Sequence, residues 1–484
     1  LITNKTVPSL KKLGVILFLF SCVTQAQNKQ LLYNYTDIPQ SLLLNPGAEV
    51  NYKWHVGVPM LSHIHAGAGA SGVTVYDLFA DNGVNFNDKL RRVVYNLDRN
   101  DHFTVNQQLE IFSGGFAYGN SYDPDKYVSF GLYQELDLHL YYPRDYAILA
   151  YEGNQNNIGR RFDLSDLEGK GELLSVLHVG FTKKLNKKWT YGIRGKIYSS
   201  LLNFKSTNNS GSFITREGTN NFYNHEFDLD LELQTSGYAS LMDLENDGQN
   251  DWNRKAIKEL RKRVLFGGNL GLGFDVGFTY HPEEQWTVTG SIQDVGFIYH
   301  TKDVETYTLK GQYTFEGVNP LFPNNGSGQT ADEYWQEITD NFEDLFELDT
   351  ISNNYIAFRS PKINSSVSYR YGKKTIKECN CTADEGDYLN EVGLQLFAIG
   401  RSRRPQLAIS AFYYRRLFDF LSGKITYTAD AYSKTNIGIG LSSHIGNINF
   451  YIMADNLLEY QNLTQANYAS VQLGFNYIFP REKK

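Results

Sequence analysis

Asp243-Leu-Glu245-Asn-Asp247-Gly248-Gln-Asn-Asp251 has the spacing of a metal loop. Its oxygen ligands fall at positions 1, 3, 5 and 9 around a turn glycine, which is how a hard cation collects them. Position 12 is Arg254, where a full calcium loop carries Glu. The stretch therefore reads in two ways. It is either a loop steadied by a structural calcium on Asp243, Glu245, Asp247 and Asp251, or an ordinary Asp/Asn-rich surface turn.

Other candidate chemistry is weaker. Gly67-Ala-Gly69-Ala-Ser-Gly72 matches the dinucleotide fingerprint, but that motif needs a helix directly afterwards to aim its N-terminus at pyrophosphate. Val73-Thr-Val-Tyr76 reads as continuing strand, so no nucleotide is expected, and Gly67 and Gly69 fit the close-packed inner side of a strand. Cys379 and Cys381 either join as a short-loop disulfide or stay unpaired. His63 and His65 share a strand face without a third ligand, which suits interior polar groups better than a metal. His178 and His444 face an interior without a placeable Ser or Asp partner, and no Gly-x-Ser-x-Gly elbow occurs. The expectation is a non-catalytic protein, with no cofactor apart from the calcium reading.

The elements that would position these residues are strands. From Ala469 to Phe479, Ala469, Val471, Leu473, Phe475, Tyr477 and Phe479 share one face, while Ser470, Gln472, Gly474 and Asn476 share the other. About 9–11 residues of such alternation cross an outer membrane, apolar side to lipid and polar side to a lumen. The same two-faced hairpin recurs at 272–280 with 286–298, at 177–181 with 189–197, and at 437–441 with 448–452. Trp189 and Trp286 open return strands, where an indole ring would sit at a membrane boundary, with an ordinary core tryptophan as the alternative at each. Similar segments, among them one long strand at 54–75, predict an all-β, antiparallel up-and-down transmembrane barrel of about 14 strands. Its lumen-facing side includes Arg194, Lys196, Asp275, Gln293 and Gln472. A large soluble β-sandwich or propeller is the alternative. The 34 Tyr, 30 Phe and 42 Gly suit aromatic girdles and close-packed barrel strands.

Residues 1–26 read as a secretory signal peptide: Lys5, Lys11 and Lys12, then the apolar run Leu13 to Phe20, then Thr24-Gln-Ala26 as a cleavage site. Leu19-Phe-Ser-Cys22 is a loose lipoprotein-type alternative that Phe20 fits badly. Losing the three lysines takes the net charge from −7 to −10, which argues against nucleic acid as a partner. Residues 27–50 are expected as a plug or hatch segment and 51–484 as the barrel, with helical insertions near 251–265 and 330–348. The first insertion is basic, with Ile257, Leu260 and Val264 as its apolar stripe, and plugs the lumen or caps an end. The second opens on a capping box, Thr330-Ala-Asp-Glu333, and carries only acidic charges from Asp332 to Asp349.

Ile38-Pro39-Gln-Ser-Leu-Leu-Leu-Asn45-Pro46-Gly47 resembles the "NPA" motif near the N-terminus of FadL-type and PorV-type outer-membrane barrels, with Gly47 in place of the usual alanine. Tyr142-Pro-Arg-Asp145, Glu152-Gly-Asn154, Asn269 to Gly277 and Asp294-Val-Gly296 together resemble a Bacteroidota barrel family of uncharacterised function, distantly similar to PorV and PorP/SprF. That resemblance implies an integral barrel of the outer membrane, with Pro39, Asn45 and Pro46 in a segment tucked into or under the lumen. It implies a component or anchor of a secretion or gliding machine, with envelope proteins and outer-membrane lipid as partners. The second expectation is a FadL-like passive channel for hydrophobic or small solutes, with the N-terminal segment and the basic helix as its hatch.

Overall fold

The computed structural model describes residues 29–119, 124–219, 222–246, 252–316, 336, 349–373, 388–430, 432, 435–459 and 464–480. The leader reading of residues 1–26, Cys379 and Cys381, and the insertion near 330–348 apart from Gln336 lie outside them.

The alternating segments pair in sequence until the sheet meets itself. The wall opens with β1 (Tyr52–Gly57) and β2 (Ile64–Ala70), two pieces of one strand, since both run between the same two neighbours. β3 (His102–Tyr118) and β4 (Lys126–Tyr141) follow, then β5 (Arg161–Asp163) outside the wall, then β6 (Gly169–Lys184) and β7 (Trp189–Glu217). β8 (Tyr223–Ser236) also stands outside, so β9 (Asn269–Tyr280) pairs back onto β7, with β10 (Trp286–His300) beside it. β11 (Val304–Phe315) and β12 (Asp349–Ile351) leave the wall again, and β13 (Tyr355–Phe358) and β14 (Lys362–Lys373) share one position against β10. β15 (Tyr388–Ile399), β16 (Gln406–Phe418), β17 (Leu421–Ala429), β18 (Asn436–Ile445), β19 (Ile448–Asp455) and β20 (Tyr468–Pro480) complete the circuit. β20 bonds back to β1 and β2, closing an antiparallel barrel of 14 wall strands.

Two expectations about the first strand are corrected. The reading of 54–75 as one strand fails at residues 58–63, which leave the ladder while still bonding both neighbours: Val58 N–H donates to the Phe475 carbonyl and Met60 N–H to that of Ile111, each at 3.0 Å. The strand does not continue through Val73–Tyr76 either, because Val75–Phe79 is a helix, α1. Thr74 caps it: its hydroxyl accepts from Asp77 N–H, and the Asp77 carboxylate accepts from Thr74 N–H at 2.8 Å. This reciprocal cap outweighs the β preference of the valines. The nucleotide reading still has no support, since Gly67 and Gly69 sit inside β2, paired on both sides.

Short connections between β6 and β7, β9 and β10, and β18 and β19 mark one end of the barrel, the turn end. The other end carries α1, α2 (Phe86–Asn96), α3 (Arg144–Glu152), α4 (Ala239–Asn246) and α5 (Trp252–Lys262). It also carries a cap, because β7 is 29 residues long and its outer half rises clear of the wall to pair with β5 and β8. β8 pairs in turn with β11, and β11 with β12. Val94, Ile148, Phe162, Leu164, Phe213 and Leu229 form the cap's own core.

The two faces of the wall are the reverse of a soluble protein's. Ile193, Leu272, Ile292, Ile363, Leu394 and Ile425 are exposed on the outside. Gln395, Ser410, Thr426, Gln472 and Asn476 are buried inside. At the turn end outward tryptophans pair with ring neighbours: Trp54 with Phe479 at 3.6 Å, Trp189 with Tyr280 at 4.2 Å and Trp286 with Tyr369 at 5.2 Å between ring centres. An apolar belt edged by aromatic rings on a closed sheet is the exterior of an outer-membrane barrel, and that is where this protein resides. Among the described residues no helix is long and apolar enough to cross a membrane.

Candidate functional site

The site is the lumen, and residues 29–51 fill much of it. Pro39 starts a short 3-10 helix, Pro39–Leu43, where its fixed φ and missing N–H cost nothing. Leu31, Leu32, Tyr33, Tyr35 and Ile38 have no exposed surface and pack on Tyr451 and Met453 of the wall. Leu42 and Ala48 pack with Tyr52, Tyr127 and Ile478 nearer the turn end.

Polar wall side chains hold the segment chiefly by its backbone. Arg194 donates to the carbonyls of Leu43, at 3.0 Å, and Leu42. Ser291 donates to the Leu44 carbonyl at 2.7 Å, joined by Gln293. Thr182 donates to the Pro46 carbonyl at 2.7 Å, Thr279 to that of Gly47 at 2.8 Å, and Lys424 to that of Tyr33 at 2.6 Å. Gln40 reaches Glu110 at 2.9 Å and Asn476 at 2.8 Å, and Tyr414 donates to Asp37 at 2.6 Å. Asn45 makes an Asx turn, its side-chain oxygen accepting from Gly47 N–H at 2.9 Å. The wall makes room for that turn with Gly192 and Gly277, where a Cβ would run into Pro46 and Asn45 respectively.

Beside the segment, ion pairs first line the wall between neighbouring strands and then cross the lumen. Asp275 meets Arg194 at 3.0 Å and Lys196 at 2.9 Å. Asp294 meets Lys196 at 2.7 Å and Lys362 at 2.9 Å. Glu135 on β4 takes Arg359 at 3.0 Å and Lys362 at 2.8 Å, and Arg359 also pairs with Glu172 on β6, so this pairing bridges opposite walls. Arg401 adds a fork onto Asp137 at 2.8 and 3.2 Å. Every one of these buried charges has a partner of opposite sign, which is the condition for keeping ions out of water. Among Lys29, His65, Glu135, Asp137, Lys362 and Arg401 there remains a cavity of about 20 Å³. That is room for about one water.

The inward face thus brings together Arg194, Lys196, Asp275 and Gln293, while Gln472 is buried on β20, facing the same interior. Pro39, Asn45 and Pro46 all lie in the segment that fills the lumen. Asp243 and Glu245 stand on α4, whereas Asp247 and Asp251 lie outside the described residues. The basic helix α5 neither plugs the lumen nor hatches it: Arg263, just past its end, packs against β7 from outside, and Ile257, expected on its buried stripe, is exposed. Sequence reading missed Glu135, Asp137, Glu172, Arg359 and Lys362. A signal for two of them was present, since Glu135, Asp137 and His139 alternate with Leu136, Leu138 and Leu140. A concavity of about 790 Å³ edged by Phe278, Ile292, Ile363, Val367 and Leu394 faces lipid, not the lumen.

Residues 46–455 match the model of DUF5723, a family of unknown function. No curated protein matches the chain. Among solved structures, a FadL homologue of Pseudomonas aeruginosa is 8% identical, covering 93% of this chain and 96% of its own, with a TM-score of 0.40. The toluene transporter TbuX of Ralstonia pickettii is 8% identical, covering 91% and 94%, with a TM-score of 0.39. A mutant porin of Rh. blastica is 9% identical, covering 87% and 100%, with a TM-score of 0.22.

Proposed function

The chain belongs to DUF5723, a family of unknown function, and from its geometry we propose that it is a gated passive channel of the outer membrane, closed at rest by its N-terminal segment. The observation that carries this reading is the way the segment is held. Arg194, Ser291, Thr182, Thr279 and Lys424 grip it by its carbonyls. Water can replace such bonds at a net cost of about 0.5–1.5 kcal/mol each, so the segment can leave without stranding unsatisfied groups. Apart from apolar patches at Met453 and Tyr451 and at Tyr127 and Ile478, the wall behind it is built of hydroxyls, amides and charges, which would stay hydrated once uncovered. Such a lining favours small polar solutes over hydrophobic ones.

Swelling of vesicles that hold the full barrel, in solutions of sugars of increasing size, tests the reading. Slow entry with a sharp size limit supports it. Vesicles as tight as protein-free ones to every sugar would count against it.

A second reading, a component or anchor of an envelope machine such as the PorV and PorP/SprF resemblance implies, draws support from the cap. A sheet with its own core standing beyond the membrane offers a docking surface that a simple pore does not need. Recovery of stoichiometric partner proteins with the barrel from native membranes would favour it.

A further inference from the structure

The stretch that leaves the cap and returns to the wall through α5 follows an unusual course. Ser199 lies on the outward side of β7, in step with Ile193 and Ile197, yet only 1% of it is exposed. It is covered because its hydroxyl donates to the Arg263 carbonyl at 2.7 Å and accepts from Gly268 N–H at 3.2 Å. Arg263 fixes the crossing, donating to the carbonyls of Leu201 at 2.9 Å and Gly237 at 2.6 Å and pairing with Asp303 at 3.2 Å. Residues 263–268 therefore lie on the lipid side of the barrel, against its outer rim.

α5 ends at this rim, and its exposed face has a definite chemistry. Ile257, Lys258, Arg261 and Lys262 share one face of α5 and are exposed, and Leu265, three residues past the end of the helix, is exposed too. Phe266, 57% exposed, comes next, and the chain then runs into Leu270, Leu272 and Phe274, the lipid-facing column of β9. Lys302, just above the outward Tyr299, reaches back to the Gly267 carbonyl at 3.0 Å. The described helix offers one carboxylate there, Glu259, engaged by Lys262 at 2.7 Å and lying 3.9 Å from Arg263. Cations stand above the aromatic edge and hydrocarbon-facing side chains below it. Helices with this division lie in the headgroup layer.

We infer that the exposed face of α5 binds the phosphate of a lipid headgroup in the leaflet at the loop end of the barrel. Lys258, Arg261 and Lys262 meet the phosphate, and Ile257, Leu265 and Phe266 meet the upper acyl chain. Charge and depth agree on this occupant: the face is cationic where headgroups carry negative charge and apolar where hydrocarbon begins. The inference does not depend on whether the lumen conducts.

The full chain, reconstituted into phosphatidylcholine vesicles with or without phosphatidylglycerol, tests it by native mass spectrometry of the lipid it retains. Wild type is expected to retain phosphatidylglycerol in preference to phosphatidylcholine. Lys258→Glu, Arg261→Glu and Lys262→Glu together should abolish the preference, at roughly fivefold for each cation lost. Heat-modifiable migration reports that the variant is folded. If the reversal fails to insert, the K258Q/R261Q double variant adds no repulsion and should lose part of the same preference. Equal retention of the two lipids by wild type overturns the inference, as does an unchanged preference in a folded variant. A protein held at this face in place of lipid, and released by the same reversal, overturns it too.

Discussion

Gly47 and Gly277 meet backbone to backbone inside the lumen. A Cβ built on Gly47 would overlap the carbonyl group of Gly277, and one built on Gly277 would overlap the side chain of Asn45. The N-terminal segment therefore passes the wall at a separation that only glycine permits on both sides. Alanine, the usual residue after Asn-Pro in the motif this segment resembles, does not fit here.

Gly47→Ala should consequently unseat the segment near the turn end without opening the barrel. The overpacking cost is of the order of 1–3 kcal/mol. Limited proteolysis should cut the variant between residues 29 and 51 faster than wild type, while heat-modifiable migration stays the same. Equal cleavage rates would show that the close approach does not hold the segment.

Arg194 joins the segment to the wall's ion pairs, serving the Leu42 and Leu43 carbonyls and Asp275 at once. Arg194→Ala leaves those carbonyls without their donor and Asp275 with Lys196 as its remaining close cation. A loss of about 3–5 kcal/mol is expected from breaking a buried pair. It should be read as a lower guanidinium midpoint and faster cleavage of the segment. Arg194→Lys should recover only part of it, since an ammonium cannot span the same fork.

Leu394 and Gln395 are sequence neighbours that face opposite solvents. Leu394 is 61% exposed to lipid, and Gln395 is buried, donating to the Tyr33 carbonyl at 3.2 Å. Leu394→Arg should destabilise insertion into vesicles by about 2–4 kcal/mol. Were the protein a soluble sandwich, an arginine at so exposed a site would be close to neutral.

Acid should loosen the segment where it leaves the lumen. Burial works against ionising Glu49, but the His281 ring 2.9 Å away, with Arg370 beyond, more than offsets that and holds the carboxyl below its usual range. A depressed carboxylate stabilises the folded state above its unfolded pKa, and that contribution disappears as pH falls through the folded value. Cleavage of the segment should therefore quicken on acidification below about pH 4.5. Glu49→Gln, with no charge to lose, should flatten the response.

The wall was legible because each strand states its two environments locally: Val471, Leu473 and Phe475 against Gln472, Gly474 and Asn476 require no knowledge of any other strand. Trp189 and Trp286 could be read from sequence as girdle or core residues, and the segment carrying Asn45, Pro46 and Gly47 was placed at the lumen only through its resemblance, whereas its Asx turn was not foreseen. The break at 58–63 was not legible, since Val58 and Met60 find their partners on β20 and β3, remote in sequence. The inner half of β7 was legible as far as 203, where the apolar alternation stops; Lys205 to Ser212 has no apolar residue, so nothing local shows that the strand runs on to pair with β5 and β8 in the cap. The ions bridging β4 and β6 to β13 and β14 depend on barrel closure, which sets who faces whom. α5 misled because Ile257 and Leu260 follow helical spacing, whereas what the helix buries is set by Arg263 and the rim of the wall.

Sugar-driven swelling of vesicles carrying wild type, a variant lacking residues 29–48, and that deletion combined with Arg359→Ser and Arg401→Ser tests the central claim most directly. Wild type should be slowest, the deletion faster, and the combined variant fastest, because the segment and the crossing ion pairs close the lumen in series. Three equally tight preparations, each showing the heat-modifiable migration of a folded barrel, would contradict it.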